Sequence, residues 1–259
     1  MKNLIVLAAG EGKRLRPLTN DVPKCLVSLH GQTILERNLM QWEKAGGIES
    51  LVVTGYRADQ IKALKIPCVH NVEYSSTNML WSLYQTLPFL EGLRQKYVYL
   101  SYGDIVLCRE AIDAVEYSSG DFNVVVDTLW ESLWSLRMSD YLSDVETLKM
   151  DGARILEIGQ KPGSISDING QYIGVMKIKR ELLIHLLNNY KQMLDKATAE
   201  DQVKIKNMYM TDFIQNYIET GGYVTSVLIE GGWLEVDTLE DLMIYDAHFK
   251  TNILFSKLQ

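Results

Sequence analysis

The first apolar run of the chain ends in a glycine-rich loop, and this junction limits the folds that the chain can adopt. Residues 4–7 form a continuous run of Leu, Ile and Val, a pattern typical of a strand buried on both faces of a parallel sheet. Ala8 and Ala9 then leave space beside the backbone, and Gly10 and Gly12 allow backbone angles that a side chain would forbid. The sequence therefore predicts a buried strand that turns sharply at its carboxyl end.

Cationic residues accompany this turn. Arg14 lies two residues beyond Gly12, and Lys24 lies at the far end of the loop. Backbone N–H groups in a glycine-rich turn can bind an anion, and a guanidinium or ammonium nearby strengthens that binding. We therefore expect a loop that holds a polyphosphate, with a flat base against the backbone beside Ala8 and Ala9.

Two better-known glycine loops do not fit these residues. A Walker A loop requires Gly-Lys-Ser or Gly-Lys-Thr, whereas Arg14 follows Gly12-Lys13 here. A dinucleotide-binding turn requires a third glycine near Leu15 and an acidic residue at the end of the second strand. The second strand instead ends in Thr-Gly-Tyr at 54–56.

Buried-strand patterns alternate with helical patterns along the chain, for example at 51–54, 97–101 and 122–127. This alternation predicts a parallel α/β sheet built with right-handed crossovers, whose ligands bind at the carboxyl ends of the strands. We expect a single domain over 1–259. Its less regular stretch, about 128–170, is interpreted as an insertion of strands that covers a substrate pocket.

Two aspartates follow strand patterns near the expected ligand edge. Asp104 comes directly after Gly103 and the strand at 97–101, a position typical of a Mg²⁺ ligand close to phosphates. Asp237 ends a short strand just before a helix that starts at Leu239. Capping of that helix is the alternative interpretation of Asp237.

The pattern Gly-x-Gly-x-Arg-Leu-x-Pro, which starts at Gly10 and is followed by Pro-Lys at 23–24, resembles that of the nucleotidylyltransferases. These enzymes join an NTP to a phosphorylated acceptor and release pyrophosphate, and they include sugar-phosphate nucleotidylyltransferases and bacterial phosphocholine cytidylyltransferases. The resemblance implies a Rossmann-like, mostly parallel mixed sheet of the glycosyltransferase-A-like nucleotidyltransferase type, with a small β insertion over the acceptor. It also implies that Asp104 and Asp237 meet on one Mg²⁺ ion.

The resemblance further implies that Gly10 and Gly12 shape the NTP loop and that Arg14 and Lys24 hold its phosphates. The Asn-x-x-x-Ser-Leu spacing at 78–83 resembles the base-recognition segment of the phosphocholine cytidylyltransferases, although a capped helix start would explain the asparagine equally well. The expected nucleotide-binding residues are Leu7, Ala8, Ala9, Gly10, Glu11, Gly12, Lys13, Arg14, Lys24, Asn78, Ser82 and Gly103. The expected catalytic residues are Arg14, Lys24, Asp104, Lys161 and Asp237.

The acceptor side carries weaker signals. Residues 155–162 resemble the Glu-Lys-Pro segment of the sugar-phosphate nucleotidylyltransferases, with Gln160 in the acidic position, and the match implies that Lys161 contacts the acceptor phosphate. Aromatic rings can surround an amine and arginine can clamp a phosphate, although ordinary packing would also explain the tryptophans. The expected acceptor-binding residues are Trp130, Arg137, Lys161, Gln171, Tyr172 and Trp233.

The reaction implied is transfer of CMP from CTP to a small phosphorylated or phosphonate acceptor that carries an amine. Phosphocholine, aminoethylphosphonate and phosphoglutamine are examples, and the product would be a CDP-linked precursor of a surface polysaccharide or lipid. A sugar-1-phosphate nucleotidylyltransferase using UTP, dTTP or GTP is the alternative within the family. A non-catalytic nucleotide-binding regulatory module is the alternative from another class, and the residues leave open whether the chain forms a homodimer.

Composition argues against several other classes. A formal net charge of −7 over 259 residues is unsuited to a general nucleic-acid surface. The three cysteines are far apart and odd in number, which favours a reducing cytoplasm over a disulfide framework. The apolar runs are too short for a signal peptide or a membrane span, so we expect a cytoplasmic protein without a membrane partner.

Overall fold

The structure is a computed structural model that describes residues 2–248 and 257–258. Its strands are, in chain order, β1 (Lys2–Ala8), β2 (Ser28–Leu29), β3 (Gln32–Thr33), β4 (Ile48–Thr54), β5 (Cys68–His70), β6 (Tyr97–Tyr102), β7 (Ile105–Leu107), β8 (Phe122–Asp127), β9 (Leu148–Asp151), β10 (Arg154–Ile158), β11 (Gln171–Lys179), β12 (Thr225–Ile229) and β13 (Trp233–Glu235). Its α-helices are α1 (Ile34–Lys44), α2 (Ala58–Ala63), α3 (Met79–Tyr84), α4 (Leu87–Gly92), α5 (Arg109–Tyr117), α6 (Trp130–Arg137), α7 (Arg180–Lys196), α8 (Ala199–Lys206), α9 (Met210–Glu219) and α10 (Leu239–His248).

Within the described residues, nine strands form one mixed sheet in the order β5-β4-β1-β6-β11-β8-β12-β10-β9. β1 lies between β4 and β6 and is parallel to both, whereas β11 is antiparallel to β6 and β8. Of these nine strands, β11 and β10 run against the other seven. The predicted α/β fold with a mostly parallel mixed sheet is therefore confirmed.

Helices cover both faces of the sheet because its central strands are apolar on both faces. In β1, Leu4 belongs to the hydrophobic cluster that also contains Trp42 of α1. Its neighbour Ile5 belongs to the opposite cluster, with Leu80 of α3 and Leu183 of α7. The continuous apolar run seen in the sequence thus becomes a strand between two helical layers.

The parallel strands place their carboxyl ends at one edge, which we call the ligand edge. β1, β4 and β6 end there at Ala8, Thr54 and Tyr102, and the antiparallel β11 begins there at Gln171. A capping box starts α1, with Thr33 and Glu36 as its two members. No helix in the described part of the chain is both long enough and apolar enough to span a lipid bilayer.

The segment at 128–170 differs from the prediction of strands alone. It opens with the helix α6, whose buried residues Trp130, Leu133, Trp134 and Arg137 follow the i, i+3, i+4, i+7 spacing of one helix face. Its strands β9 and β10 join the edge of the main sheet. That this segment covers an acceptor pocket stays a prediction.

Two short helices follow Asn78 in the chain. α3 ends at Tyr84, and α4 begins at Leu87 with Pro88 in its first turn. Proline is tolerated at that position because the first N–H groups of a helix have no partner within the helix. The proline therefore lies at the start of a helix here.

Candidate active site

The loop after β1 packs against Lys24. Gly12 has a left-handed φ of 67°, and a Cβ atom there would lie 2.9 Å from Cβ of Lys24. The Thr19 hydroxyl donates a hydrogen bond to the Gly12 carbonyl at 2.7 Å, and the Tyr56 N–H donates to the Ala9 carbonyl at 3.1 Å. A side chain at position 12 would displace Lys24, so the glycine keeps the lysine beside the loop.

Gly103 brings the end of β6 against the end of β1. Its N–H donates to the Leu7 carbonyl at 2.9 Å, and a Cβ atom at this position would lie 2.8 Å from Cβ of Ala8. Only glycine permits so close an approach of the two backbones. The approach places the next residue, Asp104, beside the glycine loop.

A short antiparallel ladder brings distant carboxylates together. β7 and β13 pair Ile105 with Glu235, and the Val236 N–H donates to the Asp104 carbonyl at 3.0 Å. Carboxylate oxygens of Asp104, Glu235 and Asp237 lie within 4.8 Å of one another. The two aspartates predicted to share a metal do meet, and Glu235 adds a third carboxylate that the prediction did not include. Its position two residues before Asp237 on a strand, and hence on the same face, is the signal that could have identified it.

Two cations contact these carboxylates from the cavity side. Lys24 Nζ donates to Asp104 Oδ2 at 2.6 Å and also to Asp237 Oδ1, and Arg14 Nη2 lies 3.1 Å from Asp237 Oδ1. Burial disfavours the Lys24 ammonium, but the surrounding carboxylates outweigh burial and raise its pKa. Burial likewise opposes ionisation of Asp237, but Lys24 and Arg14 hold the pKa of that carboxyl below its usual value.

The pKa of Glu235 is shifted in the opposite direction to that of Asp237. Burial, together with the charges of Asp237 and Asp104, raises the pKa of the Glu235 carboxyl to about 8. Asp104 Oδ1 is buried and accepts no hydrogen bond from the part of the chain that the structure describes. Three converging carboxylates with one unpartnered oxygen form a donor set that suits a divalent cation with oxygen ligands.

A cavity of about 380 Å³ opens beside these carboxylates at the ligand edge, a volume typical of small-molecule sites. All the residues predicted to bind the nucleotide line it: Leu7, Ala8, Ala9, Gly10, Glu11, Gly12, Lys13, Arg14, Lys24, Asn78, Ser82 and Gly103. Asp104 and Asp237 line it too, together with residues that carry no recognisable motif and were not predicted, namely Cys25, Tyr74, Ser75, Thr77 and Met79.

Asn78 and Ser82 reach the cavity from the first turn of α3. The Asn78 carbonyl oxygen Oδ1 accepts a hydrogen bond from the Met79 N–H at 2.8 Å, so its capping role is real. The buried Ser82 hydroxyl accepts from Asn71 Nδ2 at 3.0 Å. Helix capping and a place in the cavity wall are therefore compatible for this turn.

The tryptophans predicted to contact an acceptor are packed in the protein interior. Trp130 is 5% exposed and meets Trp134 edge to face, with ring centroids 6.2 Å apart. Trp233 donates its indole N–H to Asp127 Oδ2 at 2.8 Å and packs on Trp134 at 5.7 Å. Neither ring lines this cavity, and both are packed as core residues; the acceptor roles of Trp130 and Trp233 stay predictions.

Arg137, which was predicted to clamp the acceptor, is also enclosed. Its side chain is 1% exposed and forms ion pairs with Glu235, Asp237 and Asp241 at 2.9 to 3.4 Å. A guanidinium surrounded by three carboxylates has no face left for an acceptor phosphate. Burial opposes the charge of Arg137, but Tyr245, Asp241 and Glu235 outweigh burial and raise the pKa of the guanidinium.

The remaining acceptor candidates lie apart from the cavity wall. Gln171 is buried and donates to the Glu146 carbonyl at 2.8 Å, so it braces the backbone and is not placed for ligand contact. Tyr172 is half-buried at the ligand edge, 5.7 Å from the Tyr102 ring, and its hydroxyl has no hydrogen-bond partner within the described ranges. Lys161 is exposed. The acceptor roles of Tyr172 and Lys161 stay predictions.

Glu146 is a neighbour of these residues that no motif identified. It is half-buried, and burial raises the pKa of its carboxyl above the usual value. The Glu146 charge also adds to the effect of burial in raising the pKa of Tyr172. An acidic group thus lies close to the aromatic pair of Tyr102 and Tyr172.

Comparisons with known proteins agree with this geometry. Residues 4–131 match the family model described as MobA-like NTP transferase domain. Over 249 residues the chain is 36% identical to the CTP:phosphoglutamine cytidylyltransferase of Campylobacter jejuni, covering 93% of this chain and 98% of that protein. It is 25% identical over 244 residues to the choline-phosphate cytidylyltransferase of Haemophilus influenzae, covering 92% and 94%.

A solved structure resembles the whole chain in fold. It is that of the inositol-1-phosphate CTP transferase from T. maritima, with a TM-score of 0.72 and 21% sequence identity, covering 100% of this chain and 96% of that one. At this identity the likeness concerns the arrangement of strands and helices.

Proposed function

The chain belongs to the nucleotidyltransferase family, and from this premise we propose that it transfers CMP from CTP to a small phosphorylated or phosphonate acceptor that carries an amine. The observation that carries the proposal is the cavity itself. It combines a glycine loop, the cations Arg14 and Lys24, and the carboxylates Asp104 and Asp237 in one wall. Cations suit a triphosphate, and carboxylates suit the metal ion that accompanies it.

In the proposed reaction an oxygen of the acceptor phosphate attacks the α-phosphorus of CTP. A new P–O bond forms as the bond to the leaving pyrophosphate breaks. A phosphate monoester has a second pKa of about 6 and is largely a dianion at neutral pH, so the reaction needs no general base. The protein's part is to align two anions that repel each other and to offset their charge, which the loop N–H groups, Arg14 and Lys24 are placed to do.

Mg²⁺ fits the same site. Asp104, Asp237 and Glu235 would hold it, since they supply converging oxygen donors and one of these oxygens, Asp104 Oδ1, is buried without a partner among the described residues. When bound, the ion supplies positive charge that stabilises the transferring phosphoryl group. Lys24 already contacts Asp104 and Asp237 and is next to the loop, so it can bind phosphate oxygens instead of carboxylates.

CTP and an amine-bearing acceptor are the choices that the relatives support. The two full-length relatives are named for CTP with phosphoglutamine and for choline phosphate. On the acceptor side, a half-buried carboxylate, Glu146, near Tyr102 and Tyr172 matches the chemistry that recognises an amine or a quaternary ammonium.

Pyrophosphate release measured for each of the four NTPs against a panel of acceptors tests the proposal. The panel contains phosphocholine, aminoethylphosphonate, phosphoglutamine, glucose 1-phosphate and inositol 1-phosphate. We expect CTP with one of the amine-bearing acceptors to exceed every other pair. Higher turnover with a sugar 1-phosphate and UTP, dTTP or GTP would instead identify a sugar-1-phosphate nucleotidylyltransferase, and nucleotide binding without turnover would identify a regulatory module.

A further inference from the structure

A buried ion-pair network lies directly behind the carboxylates of the candidate site. The side chains of Arg137 and Asp241 are 1% and 2% exposed. Arg137 Nε donates to Asp241 Oδ1 at 2.9 Å, and Nη2 donates to Asp241 Oδ2 at 3.2 Å. Removing two charges from water costs free energy that their attraction does not always recover, so a gain in stability is a weak explanation for this pair.

The guanidinium contacts one oxygen of each carboxylate that β13 and the following turn contribute to the site. Nη1 donates to Glu235 Oε2 at 3.3 Å, and Nη2 donates to Asp237 Oδ2 at 3.4 Å. The other oxygen of Asp237, Oδ1, is the one that contacts Lys24 and Arg14 in the cavity. Arg137 therefore fixes which oxygen of Asp237 faces the nucleotide site.

Asp241 ties the same guanidinium to the backbone that carries Asp237. Its Oδ2 accepts hydrogen bonds from the N–H groups of Asp237 and Thr238, both at 2.8 Å. The Asp241 N–H donates in return to the Thr238 hydroxyl at 3.1 Å. The start of α10, the turn at 237–238 and the Arg137 side chain thus form one rigid unit, and Trp134 covers the guanidinium with its ring centroid 5.6 Å from Cζ.

We propose that Arg137 is a positioning residue that acts through Glu235 and Asp237. Held by Asp241, it orients both carboxylates so that each presents its second oxygen to the metal and nucleotide. The inference rests on the proposed function for its catalytic consequence. It also gives α6 a task different from acceptor binding, because this helix supplies the cation that sets the geometry of a turn about a hundred residues later in the chain.

A positioning role and a purely electrostatic role of Arg137 predict opposite changes in the affinity of the site for Mn²⁺. Loss of a cation beside carboxylates should, by charge alone, strengthen the binding of another cation. Loss of a group that orients the metal ligands should weaken it, by about 10- to 100-fold for hydrogen-bond partners of metal ligands. The two effects have opposite signs, so the direction of the change identifies the role.

The experiment compares Arg137→Met, Arg137→Lys and Asp241→Asn with the wild type by Mn²⁺ titration in the presence of a non-hydrolysable CTP analogue, with free Mn²⁺ followed by electron paramagnetic resonance. Lys177→Met is the matched control, because Lys177 is another buried cation but donates to the carbonyls of Glu116 and Ser118, away from the cavity. Circular dichroism at the assay temperature establishes that each variant is folded.

We expect Mn²⁺ binding to weaken at least about tenfold in Arg137→Met and less in Arg137→Lys and Asp241→Asn, and to stay unchanged in Lys177→Met. The value of kcat should follow the same order, while KM for the acceptor changes little. Unchanged or tighter Mn²⁺ binding in the folded Arg137 variants would overturn the proposal, as would a rise in acceptor KM alone. If Arg137→Met does not fold, Arg137→Lys and Asp241→Asn decide the matter. The titration needs no turnover, so it tests the positioning role even if no acceptor is converted and the proposed function fails.

Discussion

Lys24 and Arg137 contact Asp237 from opposite sides, and they differ in their surroundings. Lys24 lies in the cavity wall with a side chain that is 14% exposed, whereas Arg137 is closed off behind the site at 1%. Lys24 pairs with carboxylates of the candidate metal site, while Arg137 is also fixed by Asp241. A cation in the cavity wall can exchange a carboxylate for a phosphate, and an enclosed one cannot. We therefore propose that a positive charge next to the same aspartate serves substrate binding on the cavity side and geometry on the enclosed side.

We expect the largest effect on activity from substitution of Lys24, the cation on the cavity side. In Lys24→Ala the ammonium that faces the triphosphate is lost, and we expect pyrophosphate release to fall by about a thousandfold, the upper range for one electrostatic contact in an active site. We expect the variant to be less stable than the wild type, because Asp104 and Asp237 lose the cation that offsets their charges. Activity and thermal unfolding of Lys24→Ala are compared with those of Lys191→Ala, an exposed lysine on α7. Wild-type turnover in Lys24→Ala would contradict its role.

Asp104 contacts Lys24 but not Arg137, so its substitution tests the cavity side separately from the enclosed side. Asp104→Asn keeps the shape of the side chain and removes its charge, so we expect a fall in kcat of about a hundredfold or more. Chelation of divalent ions should abolish the wild-type activity, and added Mg²⁺ should restore it. The matched control is Asp113→Asn, whose carboxylate pairs with Arg109 on α5. Full activity of Asp104→Asn, or of the wild type after chelation, would contradict a catalytic role of the metal.

These residues also show what the sequence could and could not reveal. The loop at 7–14 is contiguous and its chemistry depends on its own backbone, so the order of its residues is enough to identify it. The positions of Trp130 and Arg137 depend on which face of α6 is buried, which the helical spacing at 130, 133, 134 and 137 suggests only after the segment is recognised as a helix. Glu235 could have been identified from its position two residues before Asp237, whereas Glu146 is an ordinary glutamate in the sequence and only the folded chain brings it near Tyr102 and Tyr172.

A smaller effect is expected for Arg14, the second cation on the cavity side. Its side chain is 61% exposed, and solvent and salt weaken exposed charge pairs. We expect Arg14→Ala to raise KM for CTP by about tenfold at low salt, with a smaller difference at high salt. Initial rates at two ionic strengths measure this, with Arg94→Ala, exposed at the opposite end of β6, as the control. An effect on kcat alone, independent of salt, would contradict the assignment of Arg14 to the phosphates.

We expect the smallest effect from substitution of Glu146, the carboxylate on the proposed acceptor side. Glu146→Gln removes the half-buried charge near Tyr172 while preserving shape, and we expect KM for an amine-bearing acceptor to rise by about three- to tenfold, as for a modest loss of ion pairing. KM for CTP should not change. Glu219→Gln, exposed at the end of α9, is the control. Equal effects of Glu146→Gln on both substrates would show that the carboxylate does not distinguish the acceptor.

The most direct test of the account is a crystal structure of the protein with a non-hydrolysable CTP analogue and Mn²⁺, in which anomalous scattering locates the metal. We predict one Mn²⁺ peak bound by Asp104 and Asp237. The triphosphate should lie along the loop from Gly10 to Arg14 within reach of Lys24, and the base should lie near Asn78 and Ser82. A metal peak remote from these two aspartates, or a triphosphate bound outside this cavity, would contradict it.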